Sequence, residues 1–265
     1  MSSRSQNAKV QNGLALAGLA VMALCLVWLQ LLPAPDRVAT NEDAPSVSGP
    51  IALVIIDAGH GGNDSGAIRE GVREKDLTLD VALRLERLLK AKGIATKLTR
   101  STDETVSLSA RAEAANEERG CVFVSIHFDE GKRTAASGVG TFYAARQASA
   151  PVPLVASWFP FAQRVSSRET SNLESQSLAE LIQDSLVTQT QAVNRGTRAE
   201  QFYVVANVRH PAVLVEGGFL SNNDDVAKLM RDDYRQQLAA AISEGVMRYR
   251  DIVGQRGWTA VTGQP

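Results

Sequence analysis

Cysteine and histidine are scarce in this sequence, and basic residues do not outnumber acidic ones. Of the two cysteines, Cys25 lies in an apolar segment and Cys121 in a strand-like run, so no disulfide framework is expected. With 28 basic and 29 acidic residues, the chain has no excess of positive charge for a basic face, so nucleic acid is not an expected partner. There are three histidines in 265 residues, and their positions are therefore informative.

Charge is absent altogether between residues 13 and 32. As a helix, this apolar stretch spans roughly 30 Å, enough to cross a bilayer. Arg4 and Lys9 precede it, whereas mainly acidic residues follow. The positive-inside rule therefore predicts a cytoplasmic segment at 1–12, a transmembrane anchor at 13–32 and a domain outside the cytoplasm. A cleaved signal peptide is the alternative, and it also exports the domain. Residues 33–50, rich in Pro, Ser and Ala, are expected to form a flexible linker.

The rest of the chain alternates strand-like and helix-like patterns. Short apolar runs that end at turn residues are typical of buried strands, and apolar residues three and four positions apart are typical of helices. Strands are predicted at residues 51–56, 94–98, 121–126, 138–144, 202–205 and 212–215, and helices at 76–92, 108–118, 178–193 and 234–249. This alternation predicts a single α/β domain over residues 51–250, with a mostly parallel twisted sheet of about six strands and helices on both faces.

Two segments do not follow this alternation. Residues 145–175 contain three prolines and three large aromatic residues, and the segment is too long for an ordinary connection. It is therefore predicted to be a functional insertion in the domain. Residues 251–265 follow the last helical pattern and are expected to form a loose C-terminal tail.

Four chemically active side chains lie beside the ends of the predicted elements. His60 comes directly after the first strand, His127 directly after the third, and Glu216 directly after the last. Glu74 lies at the start of the first helix, which returns from the same edge of the sheet. Because open α/β sheets bind ligands at the carboxyl ends of their strands, we expect these four side chains to converge at that edge.

Two imidazoles and one carboxylate are a common ligand set for catalytic zinc, with a fourth position left for water. One carboxylate then remains, and beside such a water it can accept a proton and return it to a leaving amine. Taken singly, each residue also has a structural interpretation: a histidine after a Gly turn as a surface or capping residue, and Glu74 as a favourable charge at a helix N-terminus. Convergence of all four is what indicates a metal site.

Six short motifs occur in order between residues 51 and 250. They are Asp57-Ala-Gly-His-Gly-Gly-Asn-Asp-Ser-Gly-Ala, Glu74-Lys-Asp, Leu98-Thr-Arg, Ala115-Asn, Ser125-Ile-His and Pro211-Ala-Val-Leu-Val-Glu-Gly-Gly-Phe-Leu-Ser-Asn. As an ordered set they closely resemble the zinc-dependent N-acetylmuramoyl-L-alanine amidases that trim the bacterial cell wall. The resemblance implies that His60, Glu74 and His127 hold zinc and that Glu216 is the catalytic base.

The reaction implied by the resemblance is hydrolysis of the amide between the lactyl group of N-acetylmuramic acid and the L-alanine of the stem peptide. Peptidoglycan is then the substrate, which agrees with export of the domain to the periplasmic side of an inner membrane. The resemblance further implies that Asp57 orients a ligand histidine. Three further residues match the motifs, and either a structural or a functional role is open for each: Arg100, Asn116 and Asn222. No catalytic role is expected for His210.

Two features depart from the pattern of this family. After Ser-Ile-His the family usually continues with a small residue and Asn, whereas this chain has Phe128 and Asp129. If Asp129 faces the site, it adds negative charge near the zinc. The segment 145–175 occurs where division-associated members resemble it in carrying extra sequence that blocks the site until an activator protein arrives. A similar lid is one hypothesis, with Glu169 or Glu174 as the plug; a substrate-binding wall or a plain loop is the other.

Two further functions remain open at this point. One is a catalytically silent wall-binding module that keeps the fold, although the presence of all four key residues argues against it. The other is a zinc peptidase that cuts within the stem peptide. Peptidoglycan fragments released by the protein distinguish these functions.

Overall fold

The computed structural model describes residues 51–131, 134–147 and 172–262, with side chains described through Gln255. The predicted segments 1–12, 13–32 and 33–50 lie outside the described residues, and so does most of the predicted insertion, including Glu169. Within the described ranges, no helix combines the length and the apolar character that a membrane span requires.

Short strands alternate with helices along the described chain. The strands are β1 (Leu53–Ala58), β2 (Ile68–Arg69), β3 (Val72–Arg73), β4 (Ala95–Leu98), β5 (Cys121–Asp129), β6 (Val139–Tyr143), β7 (Asn194–Ala199) and β8 (Ala212–Phe219). The helices are α1 (Glu74–Ala91), α2 (Leu108–Asn116), α3 (Leu173–Thr190), α4 (Tyr203–Ala206), α5 (Asn223–Leu229) and α6 (Asp232–Thr262).

Six of these strands form one sheet in the order β4-β1-β5-β8-β6-β7. β4, β1, β5 and β8 are parallel, β6 is antiparallel to β8, and β7 is parallel to β6. The prediction of a mostly parallel sheet is therefore confirmed. Since β6 and β7 run in reverse, their first residues lie at the same edge as the last residues of β1, β5 and β8, which we call the carboxyl edge.

The two faces of this sheet are covered by different amounts of helix. The broad face packs against α1, α3 and α6, and alternate strand residues such as Val54 and Val122 point into its core. The narrow face packs against the short helices α2 and α4, and Ile55 and Phe123 point toward them. Helices therefore lie on both faces, as predicted.

One predicted strand is wrong. Residues 202–205 belong to the short helix α4, in which Val204 and Val205 are buried against the narrow face. A short apolar run does not reveal its period, so a buried helical turn and a buried strand look alike in sequence. The strand at this side of the sheet is β7, which has the sequence Asn-Arg-Gly-Thr-Arg-Ala. Its polar composition is typical of an edge strand, and no strand was predicted there.

Two helix boundaries also differ from the prediction. Asn172 caps α3, which begins at Leu173, so residues 172–175 of the predicted insertion form the start of this helix. α6 continues to Thr262, so the prediction of a loose tail is wrong for residues 251–262. No proline interrupts this part of the chain, and Val253 still packs against the core, which explains why the helix continues.

Candidate metal centre

The turn that follows β1 positions His60. Two buried arginines hold the carbonyl oxygens of this turn: Arg100 donates to Ala58 and Gly59, and Arg111 donates to Ala58 and His60. His60 itself has a left-handed backbone conformation, with φ of 57°. Such a conformation is unfavourable for histidine, so the surrounding hydrogen bonds must impose it.

Asp57 supports this turn through Arg111 and does not contact the imidazole. Its buried carboxylate accepts hydrogen bonds from Arg111 at 2.5 Å, from Ser125 at 2.7 Å and from Thr99 at 2.7 Å. The prediction that Asp57 orients a ligand histidine is thus corrected: within the described residues, its influence on His60 passes through Arg111. The sequence reasoning did not single out Arg111, whose only sequence signal is a charge within the apolar pattern of a helix.

Asp64 is the residue that contacts the ring of His60. Its Oδ2 lies 2.8 Å from His60 Nδ1, which directs Nε2 toward Glu74. This is the arrangement in which a carboxylate orients a metal-binding histidine from behind. Asp64 lies in the first motif of the sequence, but its role depends on the tight turn between the two residues, where Gly61 and Asp64 exchange backbone hydrogen bonds.

Glu74 is the first residue of α1 and lies between the two histidines. Its Oε1 is 3.0 Å from His60 Nε2 and 3.1 Å from His127 Nδ1, and it also accepts the backbone N–H of Phe128 at 3.0 Å. Its Oε2 accepts the backbone N–H of Ala67. Burial raises the pKa of Glu74, but these contacts outweigh burial and hold the pKa well below its usual range.

His127 lies at the carboxyl edge on β5 and packs directly against the turn after β1. A Cβ atom added to Gly59 would lie 2.4 Å from His127 Cε1, so the imidazole occupies the space that a side chain would fill. The ring centroids of His60 and His127 are 4.9 Å apart and the rings meet edge to face. Glycine at position 59 is therefore a requirement of the close approach of the two histidines.

Zinc fits the donor set of this cluster. His60, Glu74 and His127 each offer one ligand atom, and the three atoms lie within 4.8 Å of one another. In a tetrahedral zinc site with bonds of roughly 2.0 to 2.1 Å, neighbouring ligand atoms are about 3.3 Å apart, which is close to the 3.0 and 3.1 Å between Glu74 Oε1 and the two histidine nitrogens.

Glu216 lies next to this cluster without taking part in it. On the parallel strands β5 and β8 it pairs in register with His127, so both side chains project from the narrow face. Its Oε2 is buried and has no hydrogen-bond partner among the described residues. Burial, followed by the charges of Asp129 and Glu74, raises the pKa of Glu216 well above its usual value, and Arg195 acts in the opposite direction.

A cleft of about 350 Å³ opens beside the two histidines. Its walls are mainly apolar and come from the start of α2 and from α4: Val106, Leu108, Phe202, Tyr203 and Val204, with Leu214 at the floor. Leu108, Phe202 and Tyr203 are 54%, 40% and 47% exposed, so they form an open apolar rim. The sequence pattern predicts a strand at residues 202–205, so it does not identify Phe202, Tyr203 and Val204 as a wall of the cleft.

Phe128 and Asp129, the residues after Ser-Ile-His that depart from the family pattern, have different surroundings. Phe128 is buried, and a Cβ atom added to Gly217 would lie 2.7 Å from its ring. Asp129 forms an ion pair with Arg195, with 3.1 Å between Oδ2 and Nη2. The negative charge of Asp129 is therefore paired, although it still raises the pKa of Glu216.

Other sequence-predicted residues have structural roles. Asn116 binds the backbone of Asn207 and Arg209, and Asn222 caps α5 through the N–H groups of Asp224 and Asp225. His210 is buried away from the cluster.

The idea that Glu174 plugs the metal site is wrong. It lies in the first turn of α3, where the neighbouring Ser175 accepts a hydrogen bond from Ala212, the first residue of β8. Ala212 is at the opposite end of β8 from the carboxyl edge, four residues or roughly 13 Å from Glu216.

The fold and the cluster together define an α/β protein with a candidate metal centre at the carboxyl edge of its sheet. The sequence profile described as N-acetylmuramoyl-L-alanine amidase matches residues 54–248, which is most of the chain. The chain belongs to the N-acetylmuramoyl-L-alanine amidase family.

Individual relatives agree with this assignment. The N-acetylmuramoyl-L-alanine amidase LytC of Bacillus subtilis is 33% identical over 82% of this chain, which spans 39% of the length of LytC. The catalytic domain of the amidase CwlV from Paenibacillus polymyxa is 32% identical, with a TM-score of 0.62 over 76% of this chain and 98% of that domain. The amidase CwlD of Clostridioides difficile, solved in complex with the GerS lipoprotein, is 26% identical, with a TM-score of 0.64 over 76% of this chain and 99% of CwlD.

Proposed function

We propose that this peptidoglycan amidase cleaves the bond between N-acetylmuramic acid and L-alanine at the cluster described above. His60, Glu74 and His127 are the zinc ligands in this proposal, and Glu216 is the catalytic base. The observation that carries it is the difference between two carboxylates: Glu74 contacts both histidines, whereas the buried Oε2 of Glu216 has no partner among the described residues.

Zinc held by His60, Glu74 and His127 would supply a Lewis acid that activates water and polarises the scissile carbonyl. Glu216 takes one proton from the attacking water and passes it to the nitrogen of L-alanine as the C–N bond breaks. The water oxygen then forms the new bond to the lactyl acyl carbon, so the products are a lactyl carboxylate and a free amine. Glu216 therefore acts first as a base and then as an acid within one turnover.

Asp64, Arg100 and Arg111 serve this chemistry by holding His60. Asp64 fixes the imidazole orientation, while the two arginines hold the carbonyl oxygens of residues 58–60. The polar turn is thus set before substrate binds, which reduces the reorganisation needed during the reaction.

Digestion of purified peptidoglycan, followed by mass spectrometry of the released fragments, tests the proposed reaction. We expect intact stem peptides that begin at L-alanine and glycan strands without peptide. His60→Ala is the control and should release neither product. Shortened stem peptides would instead assign a peptidase. No product from either the wild-type protein or a variant without residues 148–171 would assign a silent wall-binding module.

We further propose that residues 13–32 anchor the domain in the inner membrane, with its action outside the cytoplasm as in cell-wall amidases. The support is the absence of charge in this segment and the basic residues that precede it. Cell fractionation with alkaline extraction tests the anchor, and the mass of the mature protein tests cleavage. An extractable protein that lacks its first residues would establish the signal peptide in place of the anchor.

We also propose that an activator protein acts on the segment 145–175. The complex of CwlD with GerS shows that a relative of this fold assembles with a partner. In this chain, Gln147 at the start of the segment donates to the carbonyl oxygens of Val205 and His210, beside the helix that lines the cleft. Replacing residues 148–171 by a short Gly-Ser linker should raise peptidoglycan release if the segment is a lid. Unchanged or lower release would contradict a lid.

A further inference from the structure

Arg195 is a partly buried cation beside Glu216, and the proposed reaction does not use it. It is the second residue of β7, and because β7 runs in reverse, it lies at the carboxyl edge with Glu216. Its side chain is 18% exposed. An arginine that is largely withdrawn from water needs partners for its N–H groups.

One end of the guanidinium is firmly held. Nη2 lies 3.1 Å from Asp129 Oδ2, and the guanidinium carbon lies 4.3 Å from the centroid of the Phe219 ring. A cation over an aromatic face and paired with a carboxylate has little freedom to rotate. The direction of the remaining N–H groups is therefore determined by these two contacts.

The other end of the guanidinium lacks a partner among the described residues. Among the described residues, Arg195 Nη1 is buried and has no hydrogen-bond partner, and the same is true of Glu216 Oε2. Gly140 pairs in register with Glu216, and a Cβ atom added to Gly140 would lie 3.6 Å from Arg195 Nη1. Gly140 thus adds no side chain next to Arg195 Nη1, and Nη1 and Glu216 Oε2 do not bond to each other.

We propose that Arg195 Nη1 binds a carbonyl oxygen of the substrate next to the scissile amide. This inference rests on the proposed function, since it takes Glu216 as the base. Buried polar groups in native proteins are nearly always hydrogen-bonded, and an exception next to a catalytic site is explained by a role in the reaction. The substrate supplies that ligand, and Arg195 fixes the scissile bond relative to Glu216.

Local charge favours a neutral carbonyl over a carboxylate as this ligand. Asp129 and Arg195 form a pair with no net charge, and Glu216 adds a negative charge when it acts as a base. A second carboxylate would meet net repulsion here, whereas an amide carbonyl accepts the N–H without adding charge. Asp129, the departure from the family pattern, therefore directs Arg195 toward an uncharged group.

Arg195→Met is the variant that tests this inference, and Arg198→Met is its control. Arg198 is an exposed arginine on the same strand, so the control repeats the chemical change away from the site. The probe is a soluble muramoyl-peptide fragment of peptidoglycan. We expect kcat/KM of Arg195→Met to fall by about 10- to 100-fold, mainly through KM, because the lost contact is a hydrogen bond from a charged donor.

Zinc content and thermal midpoint must be measured on the same preparations. Wild-type zinc content together with the raised KM supports the inference, since a purely structural arginine would not change KM selectively. A kcat/KM within about threefold of the control overturns it, because the loss of a hydrogen bond to a charged donor exceeds that factor. Failure of the proposed function is a separate result, since the wild-type protein would then release no stem peptide.

Arg195→Met leaves Asp129 without its partner and is liable to misfold for that reason alone. The double variant Asp129→Asn with Arg195→Gln removes both charges together, keeps the shape of Asp129 and leaves a shorter polar side chain at position 195. It should fold, bind zinc and show the same rise in KM. If the double variant restores wild-type KM, the orphaned charge of Asp129 caused the defect and the inference is wrong.

Discussion

The two faces of the sheet bury different chemistry. On the broad face, strand residues such as Ile56 and Val124 meet three long helices in an apolar core. On the narrow face, the same two strands bury Asp57 and Ser125, which are both fully inaccessible and hydrogen-bonded to each other. One residue of offset along a strand therefore separates a side chain that stabilises the fold from one that serves the site.

This difference shows how the molecule combines stability with a polar site. Apolar burial on the broad face provides stability without any directional requirement. On the narrow face, Asp57 and Ser125 are buried and hydrogen-bonded, whereas Glu216 Oε2 at the carboxyl edge has no partner among the described residues. The short helices α2 and α4 leave the cleft open. Substitutions on the broad face should therefore lower stability alone, whereas substitutions on the narrow face should also lower zinc affinity, even where the loss of unfolding free energy is similar.

The largest effect is expected from removing a metal ligand on the narrow face. His127→Ala should lose bound zinc and lower the hydrolysis rate by about 10³-fold or more, since the metal supplies several kcal/mol of transition-state stabilisation. His210→Ala is the matched control, because it makes the same change outside the cluster and should keep the zinc. Elemental analysis with a peptidoglycan digest measures both. Stoichiometric zinc in His127→Ala would contradict its role.

Two single substitutions at neighbouring residues of β1 test the difference between the two faces most clearly. Asp57→Ala removes the carboxylate that pairs with Arg111, and breaking a buried ion pair costs about 3 kcal/mol of unfolding free energy. Ile56→Ala, one residue away on the broad face, costs about 2 to 5 kcal/mol through the cavity it creates. Chemical denaturation gives both values.

Zinc affinity should then separate the two variants. Asp57→Ala weakens the hold of Arg111 on the carbonyl of His60, so zinc should bind more weakly, whereas Ile56→Ala should keep wild-type affinity. Equal zinc affinity in both variants would contradict the claim that only the narrow face serves the metal site.

Gly59 lies in the turn after β1 and packs directly against His127 of β5. Gly59→Ala places a Cβ atom 2.4 Å from His127 Cε1, so the imidazole must move. We expect zinc affinity to fall by about 10- to 100-fold, as for other changes that misorient a ligand. Gly254→Ala is the control, because a Cβ atom there has no neighbour within 4 Å. Competition with a chromogenic chelator measures the affinity, and unchanged binding in Gly59→Ala would show that the ring position is not critical.

The smallest effect is expected at the edge of the broad face, where Asp80 on α1 pairs with Arg84 and with Arg235 of α6. Burial raises the pKa of Asp80, but the hydrogen bonds from the two arginines outweigh burial and lower the pKa below its ordinary value. Because the folded-state pKa is depressed, the contribution is present at neutral pH and is lost as pH falls below about 4, through the folded-state pKa.

Asp80→Asn should therefore reduce the unfolding free energy by about 0.5 to 1 kcal/mol at pH 7, a modest value since Asp80 is partly exposed. The difference from wild type should shrink at pH 3. A constant difference across this range would exclude the ion pairs as its cause, and activity at pH 7 should remain unchanged.

The sequence predicts those helices and strands whose apolar pattern extends over several turns or ends at clear turn residues. The first helix, the buried strands β1 and β5 and the convergence of His60, Glu74 and His127 belong to this group, because strand ends and the sheet edge follow from the alternation of elements. It did not predict β7, whose polar residues have no apolar period, or α4, whose four residues are too few to show one.

Supporting residues of the site were harder to predict, because their roles depend on distances across the fold. Arg111 is 51 positions from His60, and Asp64 becomes meaningful only once the tight turn is known. Arg195 is an arginine in a polar strand, and its importance depends on its unpaired Nη1 beside Gly140, which pairs in register with Glu216.

Glu216→Gln tests the central claim most directly, because the amide keeps the shape of the side chain and removes its ability to accept a proton. Zinc content and stem-peptide release should be measured on one preparation, next to the wild-type protein. We expect full zinc occupancy with a rate lower by about 10² to 10⁴-fold. Hydrolysis at the wild-type rate, or loss of the zinc, would contradict the separation of metal ligand and base between Glu74 and Glu216.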